Sequence, residues 1–456
     1  MIAPRTQLAN VIVGTMPALL LAALLPLVTA ARASAASGDT TLISRQSDSM
    51  GGAGADDLSS FNGVSGDGRY VVFESEATNL SDVDQDRVVD IFVRDTATGT
   101  TTLVSRQSAA RGGEAGNDHS YEPAISADGR FVAFISQATN LSGKRIKRDH
   151  ESVYLRDLVH EKTVLVARDA SRPAISGNGR HVAFITERRK GPRSAVVRDM
   201  RRKRDTLVSR QSDGRGGDRA SGNTDEVSIS ASGRYVAFES PASNLSDKDR
   251  RGRDVFLRDV KRKTTRLVSL ESRARGGEAA DCCSELPAIS PDGRYVAFES
   301  SDRLSEADTN SVDDVYLRDV ERGTTKLVSR QGAADGGAVQ DAGPPVEPRV
   351  PDLFPSVSGR GLYVAFHSSA TNLSDVDSDT FTDSEDVFIR STKQRTTELV
   401  SRASNSEGRD PGNGDSFLPT VSADGRFVAF ASDAGNLSDV DDPSPGFTDV
   451  FVRQVR

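Results

Sequence analysis

Four aspartates in the stretch 82-DVDQDRVVD-90 have the residue type and the spacing of a calcium-binding loop. Asp82, Asp84, Asp86 and Asp90 occupy positions 1, 3, 5 and 9 of the stretch, and a backbone carbonyl at position 7 would add an oxygen. Hard oxygen ligands at this spacing suit Ca²⁺. The alternative is a solvated turn in which the Asp side chains hydrogen-bond nearby backbone amides.

A second stretch repeats this pattern further along the chain. Its carboxylates are Asp375, Asp377, Asp379 and Asp383, and Asp386 stands at position 12. The spacing resembles the calcium loops of integrin-type propellers, although Arg87 and Thr380 stand where those loops usually have Gly. Two other stretches are only partial matches, with Asp308 and Asn310 in one and Asp439 and Asp441 in the other. The sequence therefore predicts calcium at the first two stretches only, with acidic turns as the alternative.

The acidic stretches belong to a unit that occurs seven times. Phrases of the type SADGRFVAFIS begin at residues 65, 126, 176, 230, 290, 358 and 422. Phrases of the type DVFLRD begin at residues 90, 152, 194, 254, 314, 386 and 449, and a TTLVSRQ-like phrase also occurs seven times. Each unit predicts four short strands, with an Asp-Gly or similar turn between the first two, because Val, Ile, Phe and Tyr dominate the runs between turn residues.

Seven four-stranded units predict an all-β, seven-bladed β-propeller. The chain has an isolated fourth-strand phrase at residues 40–46 and a final third-strand phrase at residues 449–455. We expect the N-terminal strand to complete the last blade and close the ring, because closure removes open sheet edges. The alternative is an open β-solenoid.

The repeat phrase resembles that of a known family. The run PAISPDGRYVAF from Pro287 to Phe298 is similar to the WD40-like (PD40-type) repeat of TolB-type proteins. The resemblance covers everything after residue 40 and implies the propeller fold. TolB-type proteins carry a further N-terminal domain that contacts Pal, and related propellers are attached to serine peptidases. We expect neither additional domain here, so neither role is carried over.

The N-terminus indicates export. Arg5 precedes an uncharged, mostly apolar stretch from Leu8 to Ala31, and small residues follow. This pattern predicts a signal peptide over residues 1–35, cleaved after Ala33 or Ala35, with an uncleaved membrane anchor as the alternative. Residues 36–456 are then expected to form one propeller domain. The only two cysteines, Cys282 and Cys283, are adjacent, and we expect them to be free or redox-labile, with a vicinal disulfide as the alternative.

Two residue types that recur in nearly every unit predict architecture rather than catalysis. An Arg recurs in the third strand at positions 94, 156, 198, 258, 318, 390 and 453. An Asn-Leu-Ser phrase recurs at Asn79, Asn140, Asn244, Asn372 and Asn436. We expect the Arg side chains to bind carbonyl groups or acids, and the Asn side chains to bind backbone while each Leu packs inward.

The unequal loops locate the candidate functional surface. The connections from strand two to three and from strand four to the next blade are long, and in an up-down blade both emerge on one face. Binding residues concentrate on such loops, so this face and the mouth of the central channel are the predicted site. Of the five histidines, His119 lies on this face and is the candidate to test.

These observations predict an exported, non-catalytic propeller that binds an envelope or extracellular protein or a polymer. The formal net charge of −8 weighs against nucleic acid as a partner. We expect a monomer that contacts a membrane only through an uncleaved leader. The alternative is a metal-assisted polysaccharide lyase or hydrolase at the channel mouth. Clustered histidines and carboxylates at the mouth would favour the enzyme, whereas small uncharged residues would favour the binding protein.

Overall fold

A computed structural model describes most of the chain after residue 37. The described residues are 38–84, 86–147, 150–187, 191–248, 252–281, 283–310, 312–331, 353–370, 372–374, 384–404, 410–438 and 446–456. The predicted leader at residues 1–35 and the acidic stretch from Asp375 to Asp383 lie outside them. No helix in the described part of the chain is long and apolar enough to cross a membrane.

The described residues contain seven four-stranded antiparallel sheets. Blade one has β2 (Ser59–Val64), β3 (Tyr70–Ser75), β4 (Asp90–Asp95) and β5 (Thr100–Leu103). Blade two has β6 (Ser120–Ile125), β7 (Phe131–Ser136), β8 (Ser152–Asp157) and β9 (Lys162–Arg168). Blade three has β10 (Ala170–Ile175), β11 (His181–Thr186), β12 (Ser194–Asp199) and β13 (Arg204–Leu207). Blade four has β14 (Val227–Ile229), β15 (Tyr235–Ser240), β16 (Asp254–Asp259) and β17 (Thr264–Leu267).

The remaining three blades follow the same order. Blade five has β18 (Ser284–Ile289), β19 (Tyr295–Ser300), β20 (Asp314–Asp319) and β21 (Thr324–Leu327). Blade six has β22 (Ser356–Val357), β23 (Tyr363–Ser368), β24 (Asp386–Ser391) and β25 (Thr396–Leu399). Blade seven has β26 (Ser416–Val421), β27 (Phe427–Ser432) and β28 (Asp449–Gln454), and its fourth strand is β1 (Thr40–Leu42). Five short 3₁₀ turns begin at Asp48, Ala109, Asp213, Arg273 and Gly359. The predicted all-β, seven-bladed fold is confirmed.

The N-terminal strand closes the ring as predicted. Strand β1 pairs antiparallel with β28, with Thr40 opposite Arg453 and Leu42 opposite Phe451. The backbone N–H of Ile43 donates to the carbonyl of Val450 at 2.7 Å, which extends the pairing by one residue. Blade seven therefore contains both the first and the last strand of the chain.

The core lies between neighbouring blades. In β3, Val71, Val72 and Phe73 are all fully buried, because a neighbouring blade covers each face of the sheet. Phe73 stacks on Phe92 of β4 at 5.8 Å between ring centroids, and five other blades carry the matching pair of aromatic rings. Burial of each such ring contributes about 1.5–3 kcal/mol, so the repeated rings account for much of the packing.

The Asp-Gly turn between the first two strands also serves blade packing. Gly68 has a φ of +79° and follows Asp67 in the turn of blade one. A Cβ at Gly68 would lie 2.0 Å from the ring of Phe427 in blade seven. The turn therefore requires Gly both for its positive φ and for the close approach of the neighbouring blade.

The recurring arginines are architectural, as predicted. The Nη1 atom of Arg94 donates to the carbonyl of Gln46 and to the Thr101 hydroxyl, both at 2.8 Å. Corresponding bonds to a carbonyl and a Thr hydroxyl form at Arg156, Arg258, Arg318, Arg390 and Arg453. Arg198 pairs with Asp205 rather than with a Thr, but its Nη1 also donates to the carbonyl of Val166 in blade two. Each of these arginines thus ties a third strand to a neighbouring part of the ring.

The Asn-Leu-Ser phrase forms the predicted turn. The side-chain amide of Asn79 donates to the carbonyl of Gly54 at 2.8 Å, and Asn140, Asn244 and Asn436 make the same bond. The Leu that follows each of these Asn residues is buried. Cys283 is disulfide-bonded, so the expectation of free cysteines is wrong. An adjacent pair of cysteines needs no distant segment to form a bond.

Candidate functional site

The two kinds of long loop meet on one face of the ring. In blade one, the backbone N–H of Val89 donates to Nδ1 of His119 at 3.0 Å, and the N–H of Ser120 donates to the carbonyl of Val89 at 2.7 Å. Arg87 forms a 2.7 Å ion pair with Asp57. The β3–β4 loop is therefore fixed to the segments that lead into blades one and two. The ring of His119 serves here as a hydrogen-bond acceptor.

Three of the four predicted calcium ligands of this loop converge. Carboxylate oxygens of Asp84, Asp86 and Asp90 lie within 4.8 Å of one another, and the group could hold a metal ion. Asp84 and Asp90 are buried, with exposed fractions of 3% and 0%, whereas Asp86 is exposed. Asp82 is exposed and is not one of the three. The second predicted set, at Asp375, Asp377, Asp379 and Asp383, lies outside the described residues.

Asp90 combines an architectural role with a site role. One of its oxygens, Oδ1, accepts a hydrogen bond from the Ser105 hydroxyl. The same Asp–Ser pair recurs as Asp254–Ser269, Asp314–Ser329, Asp386–Ser401 and Asp449–Ser44. The other oxygen of Asp90, Oδ2, is buried without a hydrogen-bond partner, and so is Oδ1 of Asp84. Buried polar atoms are rarely left in this condition, so these two oxygens point to a missing ligand.

The electrostatics of the cluster agree with this interpretation. Burial, together with the neighbouring Asp84 and Asp86, raises the pKa of Asp90 to about 9, although the hydrogen bond from Ser105 counteracts this rise. Burial also raises the pKa of Asp84 to about 6, with Asp86 adding to the effect. A bound cation favours the charged form of its ligands and inverts this tendency. The three carboxylates would therefore be stabilised either by binding protons or by binding a hard cation.

Blade five contains the counterpart of this loop, and the acid that corresponds to Asp84 has a hydroxyl donor there. Asp308 stands six residues before the first residue of β20, as Asp84 does before β4. The Tyr316 hydroxyl donates to Oδ2 of Asp308 at 2.5 Å. The position of Tyr316 is occupied in blade one by Phe92, since Phe73 pairs with Phe92 as Phe298 pairs with Tyr316. In blade five, a hydroxyl group therefore donates a hydrogen bond to the buried acid of the loop.

A second group of residues surrounds the centre of the ring. The first strands of neighbouring blades contact one another all the way round, so they line the channel. Six residues of these segments, one in each blade except blade four, have a positive φ: Phe61, Glu122, Arg172, Leu286, Phe354 and Leu418. Glu226 of blade four precedes β14 at the corresponding position. We call these seven residues the channel mouth.

Buried glutamates hold the backbone of the mouth. Oε2 of Glu74, on β3, accepts the N–H of Glu122 at 3.1 Å, and Oε2 of Glu239, on β15, accepts the N–H of Leu286 at 2.8 Å. Glu299 accepts the N–H of Leu353 in the same way. A residue of one blade therefore fixes the mouth segment of the next.

One side of the channel mouth is charged. Nη1 of Arg172 lies 2.9 Å from Oε1 of Glu122, and its Nε lies 2.9 Å from Oε1 of Glu226. Burial raises the pKa of Glu226 to about 8, and the nearby Glu239 and Glu122 contribute to this rise. The guanidinium of Arg172 counteracts it. One guanidinium thus serves two carboxylates, so acidic groups outnumber basic groups on this charged side, and a cation that approaches Glu226 would favour its deprotonated form.

The other side of the channel mouth is apolar. A cavity of about 260 Å³ is lined by Phe61, Leu286, Phe354 and Leu418 together with Glu226 and the prolines that follow three of them. Phe354 stacks on the buried His367 at 6.0 Å. The mouth is therefore neither the histidine–carboxylate cluster that would favour an enzyme nor the ring of small uncharged residues that would favour a binding protein.

The histidines do not assemble a metal site in the described part of the chain. His367 lies 3.7 Å from Glu385, His181 lies 3.8 Å from Asp199, and His119 binds the N–H of Val89. In the described residues, Asp84, Asp86 and Asp90 form the one group of three His, Cys, Asp or Glu with metal-binding proximity.

Sequence reasoning missed the side chains of the channel mouth, although a signal for them exists. Five of the seven residues directly precede the Pro of the first-strand phrase, as in Glu122-Pro123 and Leu286-Pro287. That position varies from blade to blade while the residues after it repeat. A residue that varies within an otherwise repeated phrase indicates a position at which the fold does not determine the side chain.

Comparisons with known proteins indicate the fold alone. No protein-family profile matches the chain, and no curated protein matches it. Among solved structures, the chain is similar to an oligogalacturonate lyase in complex with manganese, at 13% identity over 92% of this chain and 98% of that chain, with a TM-score of 0.51. It is also similar to the oligogalacturonate lyase of Vibrio parahaemolyticus, at 13% identity over 92% of this chain and 99% of that chain, with a TM-score of 0.49.

The chain is also similar to TolB from Acinetobacter baumannii, at 14% identity over 75% of this chain, with a TM-score of 0.41. It spans 62% of the length of that TolB chain. At such identities a likeness carries neither substrate nor partner. The seven four-stranded blades confirm the β-propeller fold that the repeat phrase predicted.

Proposed function

We propose that this chain is an exported, non-catalytic propeller that binds an envelope or extracellular protein or a polymer at its channel mouth. Residues 1–35 supply the export signal in this proposal. The observation that carries the proposal is the combination of a repeated backbone with unrepeated side chains at the mouth.

The backbone conformation of the channel mouth costs free energy. A positive φ at a residue other than Gly costs about 1–3 kcal/mol, and Glu122, Leu286 and Leu418 are three of the six mouth residues that adopt it. Repetition of the conformation around the ring is a property of the fold. The side chains do not repeat, since they are aromatic, aliphatic, acidic or basic in different blades. This asymmetry supports a binding role, because packing alone would favour the same residue in each blade.

Capture from envelope extract tests the proposal. The purified protein should retain a specific partner, and the double variant Phe61→Asn, Leu418→Asn should lose it, because Asn tolerates a positive φ while removing the apolar surface. The matched control is Arg201→Ala, Arg202→Ala in the short β12–β13 turn, which should bind normally. Capture that is lost in the control and kept in the mouth variant would contradict the proposal.

The enzymatic alternative has less support. A metal-assisted lyase or hydrolase needs a metal and a base beside its substrate, and the acidic cluster belongs to the β3–β4 loop rather than to the mouth. The carboxylates of the mouth would also repel an anionic polysaccharide. Assays with anionic polysaccharides should therefore show no turnover in the presence of Ca²⁺ or Mn²⁺, and turnover that Glu226→Gln abolishes would replace our proposal with the alternative.

We also propose that Ca²⁺ is the ion of the acidic cluster. All three converging side chains are carboxylates, and Ca²⁺ prefers oxygen ligands in a flexible shell that waters and backbone carbonyls can complete. Mg²⁺ demands a tighter octahedral shell and should bind less well. Calorimetric titration of the purified protein with each ion tests this, and absence of Ca²⁺ uptake at millimolar concentration would remove the metal from the proposal.

A further inference from the structure

We infer that the channel mouth takes a basic peptide segment of a protein partner, with one apolar side chain in the cavity and a cationic side chain beside Glu226. The inference rests on the proposed binding function and names the chemistry of the ligand. It is carried by the division of the mouth into an apolar side and a negatively charged side.

The apolar side offers an anchor point. Phe61, Leu286, Phe354 and Leu418 come from four different blades and line one cavity. Phe61 is 38% exposed, which is unusual for a large ring in a position fixed by the backbone. The cavity of about 260 Å³ is smaller than typical small-molecule pockets of about 300–1,000 Å³. Its size therefore favours a side chain of a larger partner over a free metabolite.

The charged side selects the sign of the partner. Arg172 is engaged by both Glu122 and Glu226, so it offers little attraction to an anion. Glu239 and Glu151 also act electrostatically on Arg172, and Glu239 is itself paired with Arg253 at 3.2 Å, so carboxylates outnumber guanidinium groups in this region. Complementary charge favours a cationic partner and disfavours anionic ones.

The two sides can contact the same ligand because one residue, Glu226, belongs to both. Glu226 lines the cavity together with Leu286 and Phe354. A peptide that inserts an apolar side chain there brings its neighbouring residues next to Glu226. A Lys or Arg adjacent to the anchor satisfies both sides, whereas an acidic neighbour would face Glu226 and Glu122.

Fluorescently labelled pentapeptides test the inference directly. The probes are Gly-Lys-Leu-Lys-Gly, Gly-Glu-Leu-Glu-Gly and Gly-Lys-Ser-Lys-Gly, and fluorescence polarisation measures their binding to the purified protein. The Lys-Leu-Lys peptide should bind at least about tenfold tighter than either of the others, which corresponds to about 1.4 kcal/mol. Its affinity should also fall as salt concentration rises.

Two variants separate the contribution of charge from the contribution of apolar contact. Glu226→Gln should weaken the Lys-Leu-Lys peptide and reduce its preference over Glu-Leu-Glu, while Arg172 keeps its partner Glu122. Leu418→Asn should remove the preference for Leu over Ser. Glu306→Gln, in the β19–β20 loop of blade five, is the matched control and should change nothing. Thermal melts of each variant confirm that the fold is retained.

The outcomes separate this inference from the proposed function. If envelope partners are captured through the mouth but the three peptides bind equally, the ligand chemistry is wrong and the binding function stands. Tighter binding of Glu-Leu-Glu than of Lys-Leu-Lys would also overturn the inference. If the mouth captures no partner and no peptide binds, both fail.

Discussion

The β3–β4 loop of blade one and the β19–β20 loop of blade five place a buried carboxylate at the same position and satisfy it differently. In blade five, the Tyr316 hydroxyl donates to Asp308. In blade one, the corresponding residue is Phe92, and a buried oxygen of Asp84 has no hydrogen-bond partner. Blade one also has Asp86 where blade five has Asn310. One loop therefore carries a donor for its buried acid, whereas the other carries an additional acid and no such donor.

This difference shows how a repeated fold produces a single site. The Asp at the start of the third strand is architectural in five blades, because its hydrogen bond to Ser recurs. In the proposed metal site of blade one, two further acids lie beside this Asp, and the residue that corresponds to Tyr316 is Phe92, which has no hydroxyl group. Added charge and the lack of a donor thus distinguish the proposed site from the loop of blade five.

The largest expected effect is the loss of calcium stabilisation in Asp84→Asn. At a Ca²⁺ concentration 100 times its Kd, the wild-type protein should gain about 2.7 kcal/mol of stability by mass action. The variant should lose this gain because it lacks a charged ligand. Thermal or urea unfolding with Ca²⁺ and with a chelator measures the difference. Asp308→Asn in blade five is the control, and an equal loss there would remove the distinction between the two loops.

The next effect is a loss of stability in Tyr316→Phe. This change gives blade five the ring of blade one and leaves the buried Asp308 without its donor, which should cost about 1–3 kcal/mol. The control is Tyr154→Phe in blade two, whose hydroxyl lies 3.4 Å from the carbonyl of Ala138 and should matter less. Urea unfolding compares the two variants, and equal costs would show that the hydroxyl of Tyr316 has no special role.

The reverse change, Phe92→Tyr, should give blade one the donor of blade five. We expect a gain of about 1 kcal/mol in the absence of Ca²⁺ and weaker Ca²⁺ binding, because the hydroxyl competes for Asp84. The position accepts a Tyr in blades two and five, so the fold should tolerate it. Unchanged calcium affinity by calorimetry would show that Phe92 does not set the metal dependence.

The last effect is a dependence of stability on pH, and it concerns the strand behind the blade-one loop. Burial raises the pKa of Glu74 from 4.5 to about 7, so the folded protein holds a proton that the unfolded chain releases between these values. The stability that this proton provides is complete below pH 4.5 and falls as pH rises towards 7, by at most about 1.4 kcal/mol per pH unit. Glu74→Gln should flatten this slope while its amide oxygen still accepts the N–H of Glu122. A slope that is unchanged in the variant would assign the pH dependence to another group.

More of the fold than of the candidate site could be predicted from the sequence. Strand order, ring closure and the Asn-Leu turn depend on hydrophobic patterns and turn residues that recur in the chain, so each unit corroborates the others. Asp84, Asp86 and Asp90 were predicted as ligands from spacing and do converge. Asp82 was predicted with them, but it is exposed and is not one of the three that converge, in a tight turn where Ser81 pairs with Asp84. Spacing alone does not specify the direction of a side chain in such a turn.

The channel mouth could not be predicted because its conformation has no residue signature. Glu122, Leu286 and Leu418 share a positive φ although none is a residue type that favours it. The bulge is imposed by the neighbouring blade through Glu74 and Glu239, which lie 48 and 47 residues earlier in the chain. Contacts of that range are visible only in three dimensions.

Ring closure also fixes the order in which the molecule can be completed. Thr40 and Arg453, which face each other in blade seven, are 413 residues apart in the chain. At a synthesis rate of about 5–20 residues per second, the first strand waits tens of seconds for its partner. During that time β1 is an unpaired edge, and its length of only three residues limits its capacity to template association with another chain. The strand that secures the finished ring is therefore short enough to be harmless while the ring is still incomplete.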